Sequence, residues 1–166
     1  MIRKAQAVLN EQDIKVYNDY VAAMKKDLHN SGLPIEKQEE MLEAFSCHEL
    51  FRLATNRLGA QYNKLANEVN DISKRYAQEP DDRRAEALKK QYNSKKQRAS
   101  VVSQQRDVFL KEFNSRRKKV IAYDSELTNA LINAGYKINP RGRGSKKEDM
   151  RQSPFAKVKT YTPRSK

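Results

Sequence analysis

The sequence has little of several residues that mark particular classes of protein. Its 166 residues include one cysteine, no tryptophan, and five each of glycine and proline. The single cysteine, Cys47, excludes an intrachain disulfide and a cysteine-rich metal site, and it favours a reducing compartment. No apolar run approaches the roughly 18–20 residues that span a bilayer, and no signal-peptide apolar region follows the first residues. We therefore expect a cytoplasmic protein without a membrane partner.

Patterns typical of catalysis or of metal and cofactor binding are also missing from the sequence. His29 and His48 are not spaced as a metal-ligating pair, and there is no glycine-rich phosphate loop and no Gly-x-Ser-x-Gly motif. Cys47 directly precedes His48, but adjacent residues on a helix point about 100° apart and share a proton poorly. We expect a protein that is not an enzyme and holds no metal or cofactor.

Glycine and proline divide the chain into three predicted segments. Residues 1–46 are expected to form a small module of two short helices, the first capped by Asn10 and closed by Gly32. The sequence Ser46-Cys47-His48-Glu49 has the form of a capping box and predicts a new helix start. Residues 47–136 then form a long helical hairpin with a turn at 79–82, and residues 137–166 form a basic, disordered tail.

Apolar residues at heptad spacing indicate an all-α, coiled-coil-like fold in which the two hairpin helices pack along one seam. The second helix would be about 80 Å long and the first about 48 Å, which leaves roughly 30 Å unmatched. Either the N-terminal helices or another subunit covers this stretch. Because the second helix has both this unmatched length and a long apolar seam, we expect a homo-oligomer. The predicted packing and oligomerisation residues are Leu58, Leu65, Val69, Ile72, Leu88, Val102, Phe109, Phe113, Tyr123 and Leu127.

Positive charge is concentrated in two segments of a chain whose net charge is +13. Residues 89–119 contain eleven Lys and Arg against two acids, and residues 137–166 contain ten against two. Helix faces that are merely solvated usually balance Lys with Glu one turn away, so this excess favours a polyanionic partner over a solvated face. The candidate contacts on the helix are Lys95, Lys96, Arg98, Arg116, Arg117, Lys118 and Lys119.

The tail segment Asn139–Lys147 resembles an AT-hook, a motif whose Pro-Arg-Gly-Arg-Pro core lies in the minor groove of A/T-rich DNA. The resemblance implies that Arg141, Gly142 and Arg143 enter the groove while Lys146 and Lys147 contact phosphates. Gly144 departs from the family, which has a second proline there. A general phosphate-binding tail, able to contact RNA, and a solubilising tail are the alternatives. Further basic candidates in the tail are Arg151, Lys157 and Lys159.

The layout as a whole resembles that of phage small terminase subunits, in which short N-terminal helices precede a ring-forming hairpin and a basic C-terminal segment. The resemblance implies a viral DNA-packaging subunit that binds duplex DNA rather than RNA, in the host-cell cytoplasm or the virion. Many members bind DNA through a basic N-terminal helix-turn-helix, whereas residues 1–46 here hold eight acids and six Lys and Arg. DNA contact would therefore have to lie on the long helix and the tail.

Two functions are consistent with this sequence. The first is a non-enzymatic, nucleic-acid-binding helical oligomer that contacts phosphates through its basic helix and tail. The alternative is a structural or scaffold protein, such as a virion component or a coiled-coil adaptor, whose cations contact an acidic protein partner.

Overall fold

The structure is a computed structural model of the chain, and it describes residues 1–137. These residues form four α-helices, α1 (Ile2–Val8), α2 (Glu11–Asn30), α3 (Ile35–Gln78) and α4 (Asp82–Asn133), with no strand among them. The two long helices α3 and α4 pack against each other as a hairpin, so the predicted all-α fold is confirmed. All of the tail candidates, from Arg141 to Lys159, lie outside the described residues.

Helix α2 begins and ends at the residues that the sequence predicts. The amide of Asp13 donates to Asn10 Oδ1 at 2.8 Å, and the amide of Asn10 donates to Asp13 Oδ2 at 3.3 Å, which completes a reciprocal capping box. Gly32 follows the helix with a φ of +72°, a conformation that costs glycine little. The short helix α1 before this cap was not predicted; its apolar residues Ile2, Ala5 and Val8 are spaced by three, but they extend over only two turns.

The helix start predicted at Ser46 is wrong, because α3 runs without interruption through that position for 44 residues. An N-cap residue must leave helical geometry, but here the apolar residues on both sides of the motif are buried and keep the backbone helical. The Ser46 side chain interacts instead with the phenol of Tyr17 on α2. The Glu49 carboxylate accepts from the Arg52 guanidinium, with 3.0 Å between Nε and Oε2.

The predicted turn between the long helices is confirmed at Glu79–Asp81, between the last residue of α3 and the first of α4. Asp81 Oδ1 accepts hydrogen bonds from the amides of Arg83 at 2.8 Å and Arg84 at 3.3 Å. These bonds satisfy donors that have no partner inside the helix, and they fix the start of α4.

The chain divides into two compact units. Each of the two long helices, α3 and α4, contributes one of its segments to the first unit and another to the second. The hairpin unit is Asn56–Val108, and the terminal unit is Met1–Thr55 together with α4 from Phe109. The core of the hairpin unit is a short seam in which three residues of α3 contact three of α4. These residues are Val69, Ile72, Tyr76, Ala85, Leu88 and Tyr92.

The terminal unit has a core with contributions from three helices. It includes Met24 and Leu28 of α2, Met41 and Phe45 of α3, and Val120, Leu127 and Leu131 of α4. The N-terminal helix α2 thus packs on α4. This agrees with the expectation that the N-terminal helices cover part of the second hairpin helix. Because α3 has 44 residues and α4 has 52, their lengths differ by about 12 Å instead of 30 Å. The expectation of a long unmatched stretch is therefore wrong, and it no longer calls for a second subunit.

The predicted packing residues lie on the buried faces of the long helices. Eight of the ten are buried, namely Leu58, Leu65, Val69, Ile72, Leu88, Phe109, Phe113 and Leu127. Val102 and Tyr123 are half-buried. In the terminal unit the ring of Phe113 stacks on His48, with 4.1 Å between the ring centroids, and Phe109 lies 6.1 Å from Phe51. Each helix thus presents the predicted face to its partner.

We expect Phe113→Ala to lower the free energy of unfolding by about 3–5 kcal/mol, because it removes a buried ring and leaves a cavity. Denaturant unfolding followed by circular dichroism measures this change. The matched control is Val108→Ala on the same helix, where the side chain is 45% exposed and truncation should change stability by less than about 0.5 kcal/mol. Equal effects of the two changes would contradict the burial of Phe113.

Candidate nucleic-acid interface

A long stretch of positive charge lies on α4 within the hairpin unit. Between Arg83 and Arg106 the helix carries eight Lys and Arg and a single acid, Glu86. Lys95 and Arg106 are half-buried. The other six cations are exposed to solvent: Arg83, Arg84, Lys89, Lys90, Lys96 and Arg98. This segment therefore presents most of its charge outward.

Lys95 occupies a seam position and contacts the opposite helix. Its Nζ donates to Oε2 of Glu68 on α3 at 2.8 Å, and both side chains are about one-third exposed. The hydrogen bond from Lys95 holds the pKa of the Glu68 carboxyl below its ordinary value, and the charges of Lys64 and Arg98 lower that pKa further. Three cations thus lie within electrostatic reach of one carboxylate, which leaves this cluster with a net positive charge.

Lys96 lies on the other side of α4, where its Nζ is 5.5 Å from the centroid of the Tyr92 ring. On this side the hairpin unit has a groove of about 280 Å³ between α3 and α4. Lys96 is its one charged lining residue, and the others are Tyr62, Ala66, Val69, Asn70, Tyr92, Ala99, Ser100, Ser103 and Gln104. The two sides of the hairpin unit therefore differ in chemistry, one basic and ion-paired, the other largely uncharged.

The second group of predicted contacts, Arg116–Lys119, lies in the terminal unit. Arg116 is half-buried, with its Nε 3.4 Å from Glu112 Oε2 and its guanidinium 5.2 Å from the centroid of the Phe51 ring. Lys119 lies over the Tyr123 ring, with 5.4 Å between its Nζ and the ring centroid. Both cations also line a cleft of about 160 Å³ together with Glu40 and Glu43. Their charge is therefore directed partly to internal contacts.

Arg117 and Lys118 have the same degrees of exposure as Arg116 and Lys119. Lys118 is exposed to solvent and Arg117 is half-buried. Of the four predicted contacts in the terminal unit, Lys118 and Lys119 are thus the two that are exposed to solvent.

Lys64 and Glu68 were not among the predicted contacts, because the predicted helix contacts were all cations of α4. Lys64 lies one turn before Glu68, an i,i+4 spacing that places both side chains on one face of α3. That spacing could have suggested the pair. The link between Glu68 and Lys95 spans 27 residues, and only the packing of the two helices reveals it.

Cys47 and His48 do not form a nucleophile pair. Cys47 is buried, and burial raises the pKa of its thiol above the ordinary value, although the charge of Arg116 opposes the shift. A raised pKa keeps the sulfur protonated at neutral pH, whereas a nucleophilic cysteine needs the thiolate. The His48 ring is stacked on Phe113. Both side chains therefore belong to the packing of the terminal unit.

Within residues 1–137, no group of three or more His, Cys, Asp and Glu side chains is arranged to hold a metal ion. Among the four helices, none combines the length and the apolar character that a membrane span requires.

Comparison of the chain with protein-family models, with curated proteins and with solved structures finds no match in any of the three.

Proposed function

We propose that this protein is a non-enzymatic nucleic-acid-binding protein that contacts phosphates through the basic surface of α4 and through its C-terminal segment. The observation that carries the proposal is the α4 segment from Arg83 to Arg106, where six of the eight Lys and Arg side chains are exposed to solvent and the other two, Lys95 and Arg106, pair with Glu68 and Asp107. Like charges so close on one helix repel each other, and a polyanion that binds there offsets the repulsion and releases its own counterions.

Duplex DNA is the partner we propose, and the support for DNA over RNA comes from the tail. The residues Pro140-Arg141-Gly142-Arg143 resemble the core of an AT-hook. In this proposal the tail enters a minor groove while the α4 cations contact phosphates of the same duplex.

The biological setting we propose is viral DNA packaging, by the resemblance of the layout to phage small terminase subunits. The long hairpin of α3 and α4 is consistent with that layout. In this setting the protein is a homo-oligomer, for which the support is the partly exposed seam residue Val102 and the open groove beside Tyr92 in the hairpin unit.

A structural or scaffold role is the alternative, in which the same cations contact an acidic protein. The same basic surface makes the contact in both proposed functions. A measurement of DNA binding therefore distinguishes the two functions.

We expect the full-length chain to bind a short labelled DNA duplex with a steep salt dependence, measured by fluorescence anisotropy. Each bound phosphate contributes about −0.9 to the slope of log K against log salt. Replacing Lys89, Lys90, Lys96 and Arg98 together by alanine should weaken binding and flatten the slope by about 0.9 for each phosphate that the variant no longer binds.

The matched control removes four exposed lysines from α1 and α2, namely Lys4, Lys15, Lys25 and Lys26. This control variant loses the same amount of positive charge as the α4 variant. If the interface lies on α4, the control should lose much less affinity for DNA. Equal losses of affinity would show attraction by net charge alone. Absence of binding by the unaltered chain at low salt would refute the nucleic-acid proposal and leave the scaffold role.

We expect the double change Arg141→Ala and Arg143→Ala to weaken binding to A/T-rich duplexes more than to G/C-rich duplexes of the same length. The reason is that the narrow minor groove of A/T-rich DNA has the more negative potential. Competition anisotropy at fixed salt measures the difference. Equal weakening on both duplexes would contradict the AT-hook interpretation and leave a general phosphate-binding tail.

We expect the protein in solution to have a mass that is a multiple of the 19.3 kDa chain. Light scattering after size exclusion, across micromolar concentrations, measures this mass. A constant monomer mass would contradict the homo-oligomer and, with it, the terminase-like setting, while leaving DNA binding open to the salt experiment.

A further inference from the structure

The two sides of the hairpin unit suggest where on it a phosphate binds. One side is the groove beside Lys96, whose lining contains a single charged residue. The opposite side carries the cluster of Lys64, Glu68, Lys95 and Arg98, which we name the Glu68 cluster. Only the second side places several cations around one point.

The geometry of the Glu68 cluster is set by the packing of the two helices. Lys95 is half-buried at a seam position of α4, and its Nζ donates to Oε2 of Glu68 at 2.8 Å. Both side chains remain about one-third exposed, so solvent and ions reach the pair. An exposed pair of this kind adds little to stability, and a competing anion exchanges with it at small cost.

We propose that Lys64, Lys95 and Arg98 form a phosphodiester-binding site in which Glu68 occupies the place of the phosphate until nucleic acid arrives. This inference rests on the proposed function and specifies the binding site within it. Glu68 has two effects in this site. It orients Lys95 in the unbound protein, and it competes with the phosphate for the same ammonium group.

The charge balance of the cluster fits an exchange of one anion for another. Lys95 donates to the Glu68 carboxylate, and the charges of Lys64 and Arg98 act on the same carboxylate and lower its pKa further. A phosphodiester carries one negative charge and accepts hydrogen bonds from several donors, so it can replace the carboxylate at Lys95 and also contact Lys64 and Arg98. The displaced carboxylate then returns to water, where it is well solvated.

The test is a comparison of Glu68→Gln with Glu86→Gln in the full-length chain, with duplex DNA binding measured by anisotropy at one low salt concentration. Both changes remove one negative charge from the hairpin unit, and Glu86 lies exposed on α4 outside the cluster. Glu68→Gln should tighten binding about 2- to 5-fold, the range that corresponds to the strength of an exposed ion pair. Glu86→Gln should give a clearly smaller gain.

A double-mutant cycle with Lys95 separates exchange from simple repulsion. In the Lys95→Ala background the competition for the ammonium is absent, so the gain from Glu68→Gln should fall to that of Glu86→Gln. Arg98→Ala should weaken binding and reduce the salt slope by about the amount that one bound phosphate contributes. Thermal melting of each variant, followed by circular dichroism, verifies that these exposed changes leave the fold intact.

The outcomes distinguish this inference from the function on which it rests. If the unaltered chain binds DNA but Glu68→Gln and Glu86→Gln give equal gains, or the gain from Glu68→Gln survives in the Lys95→Ala background, the exchange site is overturned and the function stands. If the unaltered chain does not bind DNA at low salt, both are overturned.

Discussion

The burial of apolar side chains between α3 and α4 is the interaction on which the rest of the structure depends. In the hairpin unit the seam is thin, with two tyrosines, an isoleucine, a valine, a leucine and an alanine at its centre. In the terminal unit α2 adds Met24 and Leu28 and makes the core thicker. Apolar burial is the dominant favourable term in folding, and here it also decides which faces of the long helices are left exposed.

The charge of α4 has a different structural setting in each unit. In the terminal unit Arg116 and Lys119 contact aromatic rings and line a cleft with Glu40 and Glu43. In the hairpin unit, few acidic residues lie near the α4 cations in the sequence, and most of these cations are exposed to solvent. A helix that retains such an excess loses stability by self-repulsion, and a polyanionic partner supplies a reason to keep it.

Lys95 connects packing with the proposed function. An apolar residue at its seam position would extend the core of the hairpin unit, whereas lysine brings a charge to the boundary between the helices. Its contact with Glu68 stabilises the fold only slightly because both groups are partly exposed. The same exposure leaves Lys95 accessible to an external anion that can contact Lys64 and Arg98 as well.

The sequence by itself determined the helical class, the Asn10 cap, the turn before Asp82 and the buried faces of the long helices, because these follow from local spacing and local hydrogen bonds. Only the tertiary structure decided that the helix beginning at Ile35 continues through Ser46, since the core around Phe45 favours a helical backbone where the local motif favours a start. It also decided which cations share a carboxylate, since Glu68 and Lys95 meet only when the helices pack.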